Sequence, residues 1–290
     1  MRRHFRRTPT VTRLEGRLLP TAAAYPDTPR TAIHDSYVAQ AEQSPTNVVF
    51  LGDSITYLWG TAQRPSLDTA SWQADFGPLG ASNFGIIGDQ TQNLLYRVQD
   101  GELAGKPKVA VVMIGINDLL GGRSPQATAQ GVASVVSAVR SESPNTDVLL
   151  LGILPTASSA LNGEIAQVNQ DLSGLGGTPG VEFLDPGREF LGAGGVDRAN
   201  RLSSGVHPDA EGHQIISQAI EGPIRSLLAP TVAAKPPGAT APTIAMPAIP
   251  APTGPDLLIP IVTATADPST VSPSPIRHGA ANDPSVSPAL

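Results

Sequence analysis

The chain contains no cysteine in its 290 residues, which excludes disulfides, thiolate zinc sites and a thiol nucleophile. Aromatic residues make up only 4% of the chain, and none follows Phe190. No apolar run approaches the roughly 18 residues that a bilayer-spanning helix needs, so no transmembrane segment is predicted. Hydrophobic residues nevertheless reach 40% against 15% charged residues, which is enough for a domain with a buried core.

The two ends of the chain differ in composition from its middle. Residues 1–20 carry six arginines against one glutamate, and their L-E-x-R-x-x-P pattern resembles the heads of some bacterial exported proteins. We therefore interpret residues 1–29 as an export-related leader. Basic charge confined to such a head does not predict nucleic-acid binding. Residues 230–290 hold 14 of the 29 prolines, which predicts a disordered tail. The folded domain is expected at 30–229.

Within the expected domain, apolar runs alternate with helical patterns. The runs predict five buried strands, at 47–53, 81–87, 108–115, 147–154 and 181–185. The patterns between and after them predict helices at 89–99, 124–142, 161–174 and 210–228, the second with Ser124 as N-cap and Pro125 in its first turn. This alternation indicates an α/β fold whose parallel sheet is covered on both faces. Such sheets bind ligands at the carboxyl ends of their strands.

Three predicted strand ends carry groups that suit acyl transfer. Ser54 in "GDSIT" is a hydroxyl on a strand-to-helix turn, Gly88 in "NFGIIGDQT" leaves backbone amides unshielded, and Asn117 in "GIND" offers a side-chain amide. Taken singly, each also fits an ordinary cap or turn. Together they supply a nucleophile and donors for an oxyanion. His207 in "GVHP", before the last predicted helix, is the candidate base.

The blocks "GDSIT", "NFGIIGDQT", "GIND" and "GVHP" occur in the order found in the SGNH, or GDSL, hydrolases, which this sequence resembles. The likeness runs over about residues 33–228 and is strongest to the branch that includes the catalytic subunits of platelet-activating-factor acetylhydrolases. It implies a three-layer α/β/α sandwich, flavodoxin-like, with a five-stranded parallel sheet in the order 2-1-3-4-5. It also implies serine esterase chemistry on a small-molecule ester, with neither a metal nor an organic cofactor.

The resemblance also implies residue roles. Ser54 is the expected nucleophile and His207 the expected base. The expected oxyanion donors are the amides of Ser54 and Gly88 and the side chain of Asn117. Asp53 and Asp89 match further motif positions, where we expect them to brace the turns.

One position departs from the family pattern, which places an acid three residues before the histidine, whereas this chain has Ser204. A Ser54–His207 dyad, its ring oriented by Ser204, water or a backbone carbonyl, is the interpretation we favour, because the nucleophile, base and donors are all retained. Alternatively, Asp209 or Asp185 substitutes for the acid, or the protein is a catalytically weakened or inactive binding module. From the resemblance we expect a hydrolase of short-acyl, acetyl-type esters of a sugar, lipid or other alcohol. The leader favours export to the periplasm or the cell exterior, with the cytoplasm as the alternative.

Three other residues have competing interpretations. Trp59 and Trp72 follow the nucleophile and fit either a pocket lining or core packing. His213, in the first turn of the last predicted helix, is expected to occupy a packing or surface position. A metal site shared by His207 and His213 is not expected, because the sequence places no further ligands beside them.

Overall fold

The computed structural model describes residues 28–44, 46–60, 69–192 and 205–229, together with isolated two-residue strands at 13–14, 17–18, 195–196 and 202–203. The predicted tail, 230–290, lies outside the described residues, as do Ser204 and most of the predicted leader. The first helix begins at Thr28, two residues before the start expected for the domain.

Five parallel strands form the central sheet: β1 (Val48–Gly52), β2 (Ala81–Gly85), β3 (Val109–Met113), β4 (Asp147–Leu151) and β5 (Val181–Leu184). Their order is β2-β1-β3-β4-β5, and each neighbouring pair is parallel. Every residue of β1 and β3 is buried, because their almost uninterrupted apolar sequences face helices on both sides. The α/β sandwich and the predicted strand order 2-1-3-4-5 are confirmed.

The described residues form eight α-helices: α1 (Thr28–Gln43), α2 (Ser54–Leu58), α3 (Thr69–Asp75), α4 (Thr91–Arg97), α5 (Ile116–Leu120), α6 (Pro125–Glu142), α7 (Ser159–Ser173) and α8 (Ala210–Leu228). Helical turns occur at Val98–Glu102, Gly77–Leu79, Gly174–Gly177 and Pro186–Phe190. Antiparallel two-residue strands pair Arg13–Leu14 with Arg17–Leu18, Leu191–Gly192 with Gly195–Val196, and Leu202–Ser203 with His207–Pro208. These short pairs lie outside the central sheet.

Helix α6 begins where its sequence predicts. The Ser124 hydroxyl accepts a hydrogen bond from the Ala127 amide at 3.3 Å, and Pro125 fills the first helical position, where a missing N–H costs nothing. Helix α1 has no counterpart among the predicted helices. Its core-facing residues Ile33, Tyr37 and Ala41 form a stripe only one residue wide, which is narrower than a typical amphipathic face.

An aromatic cluster packs under β1 and next to α8. Phe50, Trp59, Trp72 and Phe76 contact one another with ring centroids 4.8–6.0 Å apart. Trp59 and Trp72 are only 1% and 3% exposed. Of their two interpretations, the structure supports core packing rather than a pocket lining.

Candidate active site

The candidate nucleophile lies on the sharp turn between β1 and α2. Gly52 ends the strand, and a Cβ there would lie 2.2 Å from Thr56 Oγ1 and 2.5 Å from the Met113 carbonyl oxygen, so only glycine fits. The Asp53 carboxylate then caps α2 by accepting a hydrogen bond from the Ile55 amide at 2.9 Å. Ser54 is therefore the first residue of α2, at the carboxyl end of a central strand.

The candidate base lies 153 positions after this serine in the sequence, close to the C-terminal end of the domain. His207 directly precedes Pro208 in a short strand before α8, and its Nε2 lies 2.9 Å from Ser54 Oγ. Burial lowers the pKa of His207 below its ordinary value of 6.5. The ring is therefore neutral at pH 7, and its Nε2 can accept the hydroxyl proton.

The two aspartates considered as substitutes for the missing acid are engaged locally. Asp209 caps α8 by accepting a hydrogen bond from the Gly212 amide at 2.8 Å. Asp185 accepts one from the Gly187 amide at 3.1 Å and lies 3.6 Å from the Arg188 guanidinium. Within the part of the chain that the structure describes, neither carboxylate is hydrogen-bonded to His207. Ser204 itself lies outside those residues.

The candidate oxyanion donors follow the strands on either side of the nucleophile. Gly88, after β2, has φ +79°, and Asn117 lies in α5, after β3. The Asn117 Nδ2 donates a hydrogen bond to the Asp89 carbonyl at 2.9 Å, which ties the two loops together. Because β2 and β3 flank β1, the structure places Gly88, Ser54 and Asn117 at three adjacent strand ends.

A fully buried arginine lies beneath these loops. Arg97 of α4 donates from Nε to the Asp89 carboxylate at 2.8 Å and from Nη2 to the Gly52 carbonyl at 3.0 Å. Its Nη1 donates to the Phe84 carbonyl at 2.8 Å and to Glu102 at 2.6 Å. Asp89 was expected to brace its turn, and in the structure its carboxylate is held by the ion pair with Arg97.

The network extends to the N-terminal helix. His34 of α1 is 1% exposed, and its two ring nitrogens lie 2.9 Å from Glu102 and 3.2 Å from Asp100. Burial lowers the pKa of His34, but hydrogen bonds and charge from Glu102, with the bond to Asp100, raise it by more, so the net change is upward. No role was predicted for Arg97, Glu102 or His34. The sequence signal that could have identified Arg97 is its charge among the apolar residues Leu94, Leu95 and Val98 at the end of α4.

Two buried aspartates, Asp53 and Asp118, hold helix starts near the nucleophile turn. The pKa of Asp53 is raised to about 7, mainly by burial. The hydrogen bond from the Ile55 amide opposes this shift, whereas the charges of Asp89 and Asp118 add to it. Asp118 accepts hydrogen bonds from the Thr91 amide and hydroxyl at 2.9 and 2.7 Å. Both carboxylates thus hold helix starts.

His213 is fully buried next to the site. Its Nε2 lies 3.3 Å from the Ile55 carbonyl oxygen, and its ring packs 5.2 Å from that of Trp59. Of the two expected positions, packing or surface, the structure shows packing. In residues 28–44, 46–60, 69–192 and 205–229, no three His, Asp or Glu side chains are grouped as metal ligands. No helix among the described residues is long and apolar enough to cross a membrane.

Residues 50–215 match the model of the GDSL-like lipase/acylhydrolase family. The human platelet-activating factor acetylhydrolase IB subunit alpha1 is 31% identical over 202 residues, covering 68% of this chain and 84% of the relative. The bovine subunit alpha2 is 30% identical, also over 202 residues and with the same coverage.

Two solved structures share the fold. A GDSL-like lipase from Bacteroides thetaiotaomicron superposes with a TM-score of 0.56 at 20% identity, covering 68% of this chain and 97% of that one. An acetyl esterase mutant with an acetate ion superposes with a TM-score of 0.50 at 22% identity, covering 63% and 98%.

Proposed function

Because the chain belongs to the GDSL-like lipase/acylhydrolase family, we propose that it is a serine esterase that hydrolyses short-acyl carboxylic esters. The observation that carries the proposal is the hydrogen bond between Ser54 Oγ and His207 Nε2 at 2.9 Å. A serine hydroxyl is a weak nucleophile until an adjacent base removes its proton. A neutral imidazole within hydrogen-bonding distance supplies that base.

In the first half of the reaction, Ser54 Oγ attacks the acyl carbon while His207 Nε2 takes the hydroxyl proton. The tetrahedral intermediate then collapses, and His207 returns the proton to the departing alcohol. In the second half, His207 removes a proton from water as the water attacks the acyl-enzyme. The second tetrahedral intermediate then releases the acid, and His207 returns the proton to Ser54 Oγ. Every proton therefore passes through the same imidazole nitrogen.

The negative charge of each tetrahedral intermediate needs donors already aimed at it. We assign this role to the amides of Ser54 and Gly88 and to the side chain of Asn117. One hydrogen of the Asn117 amide bonds to the Asp89 carbonyl, and an amide group has two. The second hydrogen serves the oxyanion, while the first fixes the orientation of the group.

The acyl group is assigned from the similar proteins. Human and bovine relatives at 31% and 30% identity are named acetylhydrolases, which supports acetyl or a similarly short acyl group. The alcohol is a sugar, a lipid or another small molecule. Export of the enzyme remains a prediction from residues 1–29.

The alternative is a binding module that has lost turnover because Ser204 replaces the family acid. Hydrolysis of 4-nitrophenyl acetate separates the two. We expect turnover that falls by at least about 10³-fold in Ser54→Ala. Ser82→Ala is the matched control, since that β2 hydroxyl accepts a bond from Gln40 Nε2 at 3.0 Å away from the site. Equal rates in the wild type and Ser54→Ala would leave only the binding module.

A further inference from the structure

We propose that Arg97 is a positioning residue for this reaction: its buried guanidinium sets the placement of the Gly88 and Asn117 donors relative to Ser54. The inference rests on the proposed function. In the proposed reaction Arg97 does not contact the substrate; it acts through the two chain segments that carry the proposed donors.

The argument begins with the acceptors that Arg97 has. Its Nη2 holds the carbonyl of Gly52, two residues before Ser54, at 3.0 Å. Its Nε holds the carboxylate of Asp89, the residue after Gly88, at 2.8 Å. One rigid, planar group thus joins the nucleophile turn to the loop after β2.

The third donor connects to the same group through Asp89. Asn117 Nδ2 donates to the Asp89 carbonyl, while the carboxylate of Asp89 is held by Arg97. Asp89 therefore receives one bond from each side, and a shift of Arg97 would move both Gly88 and Asn117. Misplacing reacting groups by about 1 Å can cost about 10²-fold in rate.

Burial makes this arrangement rigid. The side chains of Arg97, Asp89 and Glu102 are fully buried. Water therefore screens their charges little, and the ion pairs between them are strongly coupled. Glu102 is held in turn by His34 Nδ1 at 2.9 Å. His34 thereby links α1 to the site and supports Arg97 through Glu102.

Arg97→Lys is the informative variant, because it keeps the positive charge but loses the planar fork that reaches four acceptors. We expect kcat for 4-nitrophenyl acetate to fall by about 10²-fold with KM changed less than about threefold. The reason is that misplaced oxyanion donors weaken contacts made only in the transition state. A purely structural arginine would leave kcat of the folded fraction unchanged.

Arg140→Lys is the matched control. Arg140 is also buried, at 7% exposure, and donates to a backbone carbonyl, that of Thr146. Thr146 precedes β4, so this arginine serves the amino edge of the sheet, opposite the site. We expect its replacement to lower the melting temperature while kcat stays within about twofold of the wild type.

Glu102→Gln decides the matter if Arg97→Lys does not fold, because it removes the charge that holds Arg97 and preserves the side-chain shape. We expect a fall in kcat of about tenfold with little change in KM. Wild-type kcat in the folded variants would overturn the inference. Absence of turnover in the wild type itself would instead overturn the proposed function, so the two failures are distinguishable.

Discussion

Ser54 Oγ and His207 Nε2 lie 2.9 Å apart, although 153 positions separate the two residues in the chain. The serine is held by the Asp53 cap at the start of α2, and the histidine by a short strand just before α8. Both supports are local, and only the sheet brings them together.

The first prediction concerns the acid limb of the pH profile. Burial lowers the pKa of His207 below 6.5, and the base must be deprotonated to act. We expect kcat/KM for 4-nitrophenyl acetate to fall as the pH drops through an apparent pKa below 6.5. An acid limb centred above 6.5 would indicate an anionic partner on the ring and would contradict this account of the dyad.

The second prediction concerns the position of the missing acid. Ser204→Asp places a carboxylate at the family's acid position, where it would stabilise the imidazolium. We expect kcat to rise by about tenfold or more and the acid limb to move to higher pH. Ser82→Asp adds the same charge near the amino end of β2, away from the site, and is the control. An unchanged kcat, or an equal gain in both variants, would show that position 204 does not face the ring.

The third prediction concerns Gly88. An alanine there would adopt φ +79°, and its Cβ would lie 3.0 Å from the Arg30 guanidinium, so we expect about 1–2 kcal/mol of lost stability and a large fall in kcat. Gly80→Ala is the matched control, with φ +65° and a Cβ 3.1 Å from the Asn47 amide, at the amino end of β2. Urea unfolding and esterase assays should show equal destabilisation but lost turnover only at Gly88. Because alanine keeps the backbone N–H, a loss of turnover would report displacement of the Gly88 amide by the strained backbone. Equal turnover in both variants would contradict a role for that amide in the oxyanion hole.

The fourth prediction concerns stability and pH. The pKa of Asp53 is raised from 3.8 to about 7 in the folded protein, so folding favours the protonated form. The stabilisation linked to this proton is complete below pH 3.8 and is lost as the pH rises through about 7. The full effect is on the order of 4 kcal/mol.

Asp53→Asn tests this, because asparagine is also a good N-cap but carries no charge. We expect the free energy of unfolding in urea to fall less between about pH 5 and pH 9 in the variant than in the wild type. Asp209→Asn, at the cap of α8, is the control. Parallel pH dependences of wild type and Asp53→Asn would mean that Asp53 is ionised at little cost.

Much of the site could be predicted because it follows from strand ends. Ser54, Gly88 and Asn117 each come directly after an apolar run, and parallel strands place such residues at one edge. The candidate base depended on the motif around His207, since no periodicity relates it to Ser54. Trp59 and Trp72 stayed ambiguous because a large apolar side chain suits either a pocket or a core.

The buried network could not be predicted for a different reason. His34 and Glu102 are 68 positions apart, and nothing local to either residue indicates the other. Helix α1, which carries His34, has too narrow an apolar stripe to stand out from its polar neighbours. Long-range ion pairs of this kind become visible only when the fold is known.

Covalent labelling tests the central claim, that Ser54 is a nucleophile activated by His207, most directly. A fluorophosphonate reacts with an activated serine and leaves an adduct that mass spectrometry can place on a peptide. We predict one adduct, on the peptide that contains Ser54, lost in Ser54→Ala and formed far more slowly in His207→Ala. No adduct in the wild type, or an adduct that persists in Ser54→Ala, would contradict the account.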